Sequence, residues 1–135
     1  MKTPRPLAAS AILAAFTCLS PGSAAVIVLS HSYNEAAFAK AQTEDRRILI
    51  ESYAGWCPPC HIQAPIIADL LRDGDYADTV LFRLSEDTPN TVWKKFRLKS
   101  YSALIVYRGT REIDRAIGAT DREQIEKLLA SAGKA

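Results

Sequence analysis

The stretch that most restricts the fold is residues 48–71, ILIESYAGWCPPCHIQAPIIADLL. Ile48 to Tyr53 is an apolar run broken by one acid, which reads as a buried strand. Ala54-Gly55 turns the chain. Pro58 and Pro59 suit the first turn of a helix, where a backbone N–H has no intrahelical partner to lose. From Pro58 a helix is expected to about Leu71, with Ile62, Ile66, Ile67, Leu70 and Leu71 as its apolar face. A buried strand that passes through a short turn into a helix is the start of an α/β unit, and the rest of the chain has to complete it.

The same stretch carries the chemistry. Cys57-Pro58-Pro59-Cys60 is a C-x-x-C pair, and with His61 it is also C-x-x-C-H. Thiol–disulfide exchange, c-type haem attachment and metal binding all fit that local pattern. The other cysteine is Cys18. Lys2 and Arg5 followed by the apolar run Leu7–Leu19, the break at Pro21-Gly22 and the small residues Ser23-Ala24-Ala25 read as a secretory signal peptide over residues 1–24. The alternative is an uncleaved N-terminal anchor. Cleavage would take Cys18 with it and leave Cys57 and Cys60 in an oxidising, periplasmic or extracellular setting. A bridge spanning two residues closes almost no loop, so it is a poor stability device and a redox device instead.

Charge narrows the partners. The 17 Lys and Arg become 15 without Lys2 and Arg5, against 15 Asp and Glu. Residues 25–135 are then neutral overall, with no basic patch for nucleic acid.

Along residues 25–135 the expected strands are Val26–Leu29, Ile48–Tyr53, Val80–Leu84, Ala103–Tyr107 and Glu112–Ile117. Between them lie helices over Glu35–Gln42, capped by Ser32 or Asn34, over Pro58–Leu71, and over Thr91–Phe96. Thr43–Arg47 reads as a charged turn. Thr120-Asp121-Arg122-Glu123 reads as a capping box opening a last helix that turns Ile125, Leu128 and Leu129 inward. The order βαβαβαββα is a single α/β domain over 25–135, a mixed sheet with helices on both faces. Phe82, Trp93 and Tyr107 are expected in the packing, and Ser85-Glu86-Asp87 as a solvated loop.

From about Val26 to Leu129 this pattern resembles the thioredoxin superfamily. The strand Ile48–Tyr53 leads into Trp56-Cys57-Pro58-Pro59-Cys60 as the superfamily's second strand leads into its W-C-x-x-C. Pro65 stands five residues after Cys60, where that family kinks its active-site helix. Glu51 falls where the family has a buried acid, and Arg83 near its neighbouring lysine. One position departs: Tyr101-Ser102-Ala103 occupies the place of the family's cis-proline, with Ser102 in the proline's position. A cis bond to a non-proline residue costs about 3–4 kcal/mol. Either this loop is trans or it is held under strain, and its roles in cradling substrate and keeping metals off the thiols are open.

Read this way, Cys57 is the attacking thiol at a helix N-terminus, where the dipole favours a thiolate. Cys60 resolves the mixed disulfide. Glu51 relays its proton through water, with burial expected to raise its carboxyl above the usual range. Trp56, Pro58, Pro59, Tyr101 and Ser102 border the docking groove. Two prolines withhold N–H donors from the Cys57 sulfur, which points to a less stable thiolate and a reducing couple. The expected activity is a periplasmic protein-disulfide reductase that works as a monomer on client proteins with disulfides or thiols. It needs no cofactor and draws electrons from a membrane donor.

Two rivals stand beside this. Cys57 and Cys60 supply half of a tetrahedral metal or iron–sulfur site that two chains could share. The domain could also be a binding module without turnover. Haem lacks a second axial ligand beyond His61, since Met1 falls in the signal segment and His31 reads as a surface turn residue.

Overall fold

The computed structural model describes residues 30–133. The expected signal peptide and the expected strand at Val26–Leu29 lie outside the described residues. The described elements are β1 (Ser30–Ser32), α1 (Glu35–Thr43), β2 (Arg47–Ser52), α2 (Pro58–Leu70), β3 (Val80–Leu84), α3 (Asn90–Lys95), β4 (Ala103–Arg108), β5 (Arg111–Ile117) and α4 (Arg122–Ser131). The order is the expected βαβαβαββα of an α/β fold. Among the described residues the first strand is Ser30–Ser32, so His31 lies within β1 rather than in a turn.

The sheet order is β1-β3-β2-β4-β5, with β1, β3 and β2 parallel and β4 and β5 antiparallel to their neighbours. β2 is central and every one of its residues is buried. That is why Ile48, Leu49 and Ile50 follow one another without a polar alternation. Strand parity then sorts the side chains. Leu49, Leu81, Leu104 and Val106 pack on one face against Ile67 and Leu70 of α2 and Ile125, Leu128 and Leu129 of α4. Ile48, Ile50, Phe82, Leu84 and Ile105 pack on the other with Phe38 and Ala41 of α1 and Phe96.

Parity also explains two buried charges in β2. Arg47 and Glu51 share the face of Leu49. Arg47 is therefore a buried first strand residue, not part of a charged turn. Its guanidinium donates to Asp75 O and Asp78 Oδ1, both at 2.9 Å, and to Gly133 O. It clamps the segment after α2 and the segment after α4 to the far end of the strand.

Local capping follows the sequence with one change. Asn34 Oδ1 accepts from Ala37 N–H at 2.9 Å to open α1. At α4 the cap is Asp121, whose side chain accepts from Gln124 N–H at 3.1 Å, so the box expected between Thr120 and Glu123 is shifted by one residue. In α2 the expected face holds at Ile66, Ile67, Leu70 and Leu71, and fails at one residue. Ile62 is 50% exposed, and the core-facing stripe is Cys60, Gln63, Ile67 and Leu70. Positions 60, 63, 67 and 70 follow the 3.6-residue period, and Ile62 lies off it.

Candidate active site

The carboxyl end of β2 delivers the site. After Ser52 the chain passes Tyr53, Ala54, Gly55 and Trp56 to Cys57, which is the N-cap of α2, with Pro58 and Pro59 at the first two helical positions. Cys57 and Cys60 are joined in a disulfide. Cys60 is fully buried and Cys57 is 5% exposed, so Cys57 is the sulfur an incoming thiol or disulfide can reach. Of the N–H groups in this first turn, Pro58 and Pro59 have none. Cys60 N–H donates to Cys57 Sγ at 3.4 Å. Pro65 lies within α2 and lacks the N–H that would bond the His61 carbonyl.

Ser52 ties the parts together. Its carbonyl lies 3.7 Å from Cys60 Sγ and accepts from Ser102 N–H at 2.9 Å. Its hydroxyl accepts from Ala103 N–H at 2.9 Å. Both peptide bonds of Ser102 are trans, since no cis bond occurs among the described residues. The proline position is therefore a trans loop with a left-handed residue: Ser102 has φ 60°. For a residue with a Cβ that conformation costs about 1–2 kcal/mol. The backbone bonds hold it there: Ser102 N–H to Ser52 O, and Gly118 N–H to Ser102 O at 2.9 Å.

Glu51 precedes Ser52 in β2, on the α2 face, and is fully buried. Arg83, its register partner in β3, donates from Nε to Glu51 Oε2 at 2.8 Å. Oε1 has no hydrogen-bond partner. Burial raises the Glu51 carboxyl above its ordinary range, and the bond and charge of Arg83 pull the other way. A carboxyl held between those effects, with one oxygen unused, is suited to take and return a proton. The Arg83 guanidinium also stacks 4.1 Å over the Tyr53 ring. Tyr53 OH lies 3.4 Å from His61 Nδ1, and His61 Nε2 donates to Gly55 O at 2.6 Å. His61 is exposed, as expected, and serves to pin the turn.

The surface beside Cys57 is aromatic. Trp56 is 66% exposed. Tyr101 stands edge-on to Trp56 at 5.1 Å and to Trp93 at 5.0 Å. With Pro58, Pro59 and Lys99 these rings line an open groove of about 690 Å³ that reaches Cys57. Trp56, Pro58, Pro59 and Tyr101 thus lie where the sequence places them, and Ser102 sits buried behind Tyr101.

Three contributors are not evident from sequence. Trp93, expected in the packing alone, is half-buried and forms a groove wall. Glu86, expected in a solvated loop, accepts from Trp56 Nε1 at 2.5 Å. Gln63 is fully buried and donates to Ser102 O at 3.0 Å and Ala119 O at 2.8 Å. A polar residue one turn after Cys60 on a core-facing stripe is the available signal. Among the described residues no three His, Cys, Asp or Glu side chains converge as a metal site would require, and no helix is long and apolar enough to cross a membrane.

Known proteins share this fold. The thioredoxin family model matches residues 27–131. An H-type thioredoxin of Brassica campestris is 33% identical over 89 residues, covering 66% of this chain and 71% of that protein. A thioredoxin of Alicyclobacillus acidocaldarius subsp. acidocaldarius is 31% identical over 97 residues, 71% of this chain and 90% of its own. Among solved structures, Trxlp from Edwardsiella tarda EIB202 superposes with a TM-score of 0.71 at 32% identity, covering 75% of this chain and 98% of that one. A mutant thioredoxin from Halobacterium salinarum NRC-1 shares the fold, with a TM-score of 0.67 at 15% identity, covering 78% of this chain and 91% of that one. The family match runs through the Cys57–Cys60 turn and the Ser102 loop alike, and the chain therefore belongs to the thioredoxin family, as a thioredoxin-like thiol–disulfide oxidoreductase.

Proposed function

We propose that the protein is an exported, monomeric reductase of client-protein disulfides, recharged by a membrane electron donor. The observation that carries the direction is the first turn of α2. With prolines at its first two positions, the Cys57 sulfur faces the N–H of Cys60 at 3.4 Å and no donor from residues 58 and 59. A thiolate with fewer donors is less stable, and a couple whose reduced form is less stabilised is more reducing. The basic start and apolar run of residues 1–24 support export. Export to an oxidising compartment is what makes an electron donor necessary.

The reaction is two exchanges. The Cys57 thiolate attacks one sulfur of a client disulfide and forms a mixed disulfide, and the client's other sulfur leaves as a thiolate that takes up a proton. Cys60 then loses its proton toward Glu51 and attacks Cys57 Sγ. The client leaves fully reduced, and the Cys57–Cys60 disulfide carries the two-electron oxidation. A donor dithiol reduces that disulfide by the same two exchanges in reverse, and the cycle begins again.

The test is the reduction potential of the Cys57–Cys60 couple, from equilibration with glutathione and trapping of free thiols. A value below about −250 mV is expected of a reductase, and a value above about −180 mV would make the protein an oxidant or isomerase.

A further inference from the structure

We infer that Gln63 is the positioning residue of the docking loop. Its carboxamide locks Ser102, and through Ser102 aims Tyr101 at the groove beside Cys57. This rests on the reading that the site exchanges disulfides with protein clients.

Gln63 is an unusual occupant of its position. It lies on the stripe of α2 formed by Cys60, Ile67 and Leu70, and none of its surface is exposed. Its two amide hydrogens go to Ser102 O at 3.0 Å and Ala119 O at 2.8 Å. Its Oε1 has no hydrogen-bond partner. A buried acceptor left unpaired is costly, and an apolar side chain would fill the place without that cost. Simple packing therefore does not account for the carboxamide. What it supplies is directional: two donors that join α2 to the residue before β4 and to the loop after β5.

The target of the first donor is the residue that needs holding. Ser102 is left-handed at φ 60°. Its N–H is fixed by Ser52 O, and its carbonyl receives both Gly118 N–H at 2.9 Å and Gln63. Both acceptor sites of that carbonyl are then filled and the peptide planes on either side of Ser102 are set. Tyr101, the preceding residue, is held between Trp56 and Trp93. Without the Gln63 donors, Ser102 can relax toward the ordinary backbone regions. Tyr101 then leaves its place in the groove wall. A small disulfide that fills none of the groove does not sense this, whereas a protein client docked along it does.

The experiment compares wild type with Gln63→Leu and Gln63→Met, both similar in size and lacking donors. The reduced proteins are reacted with insulin, as a protein disulfide, and with glutathione disulfide. The second-order rate with insulin is expected to fall about tenfold or more, while the rate with glutathione disulfide stays within about twofold. In wild type the Gln63 side-chain amide protons should exchange with solvent far more slowly than those of an exposed glutamine. An unchanged insulin rate, an equal fall in both rates, fast amide exchange, or failure of both variants to fold would each overturn the positioning role. Wild-type protein that exchanges with glutathione but leaves insulin untouched would sink the reductase reading itself, and the role of Gln63 with it.

Discussion

The Arg83 guanidinium donates to the Glu51 carboxylate at 2.8 Å, between register partners on adjacent parallel strands. The two ends of this pair differ. Glu51 is fully buried, whereas the Arg83 side chain is 31% exposed and covers the Tyr53 ring. Arg83 thus keeps part of its hydration while Glu51 loses all of its own. That asymmetry leaves the carboxyl raised despite a cation at hydrogen-bond distance. It also makes the buried carboxyl costly to ionise.

Glu51→Leu should therefore separate stability from turnover. The folded carboxyl is raised above the ordinary 4.5, so the unfolded chain ionises first as pH rises. Between the two values the folded state holds the extra proton, and stability falls with increasing pH. Leu removes this slope. Because Arg83 is partly exposed and stays hydrated without its partner, the variant should gain on wild type as pH rises from 4 to 8, in urea titrations across that range. Its insulin reduction at pH 7 should be slower on the order of a hundredfold, the contribution of a lost proton acceptor. A variant that gains nothing on wild type over that range and is fully active would refute both assignments.

Ser102→Pro should weaken the fold even though it installs the residue typical of the family. Proline requires φ near −65° and has no N–H. Ser102 has φ 60°, and its N–H is bonded to Ser52 O at 2.9 Å. The combined cost of a backbone mismatch and a lost buried hydrogen bond is about 3 kcal/mol. Equilibrium unfolding in urea measures it. A proline variant as stable as wild type would mean that the loop has a second conformation of nearly equal energy.

The elements are legible because each announces itself locally: the apolar triplet Ile48-Leu49-Ile50 for β2, a proline pair for the start of α2, Asn34 before α1. The cysteine pair is visible as a motif, and the burial of Glu51 is what the family resemblance implies. What sequence does not supply is which distant groups meet. Gln63 looks like an ordinary polar helix residue until the loops on either side of β4 and β5 are brought over it. Glu86 and Trp93 join the groove only because the β3–α3 connection folds back toward Trp56. The face of α2 departs from expectation only at Ile62, which is as apolar as Ile67, and only packing shows that the stripe passes through Gln63 instead.

Arg47→Met should cost stability without touching the redox couple. Arg47 opens β2, while the sulfurs follow its other end. Methionine keeps most of the apolar stem over Tyr76. It removes the donors to Asp75 O, Asp78 Oδ1 and Gly133 O. Asp78 is partly exposed and stays hydrated, so the loss should be about 2 kcal/mol rather than the full penalty of an orphaned buried charge. The reduction potential should match wild type. A shifted potential would show that β2 transmits strain along its length to Cys57.

Cys60→Ala should convert the protein into a trap for its clients. Cys57 is the accessible sulfur and Cys60 the fully buried one. An attack on a client disulfide therefore begins at Cys57, and without Cys60 no intramolecular thiol resolves the product. Mixed disulfides should accumulate on Cys60→Ala and be released by dithiothreitol, and they should be absent from the Cys57→Ala variant. The two changes also differ structurally. Cys57 is the N-cap of α2, so its replacement removes the sulfur that accepts from Cys60 N–H, whereas replacing Cys60 leaves that cap in place. Cys57→Ala should accordingly be the less stable of the two by about 1 kcal/mol. Client capture on Cys57→Ala rather than Cys60→Ala, read by diagonal electrophoresis and mass spectrometry of the linked peptides, would reverse the order of attack and with it the roles of Cys57, Cys60 and Glu51.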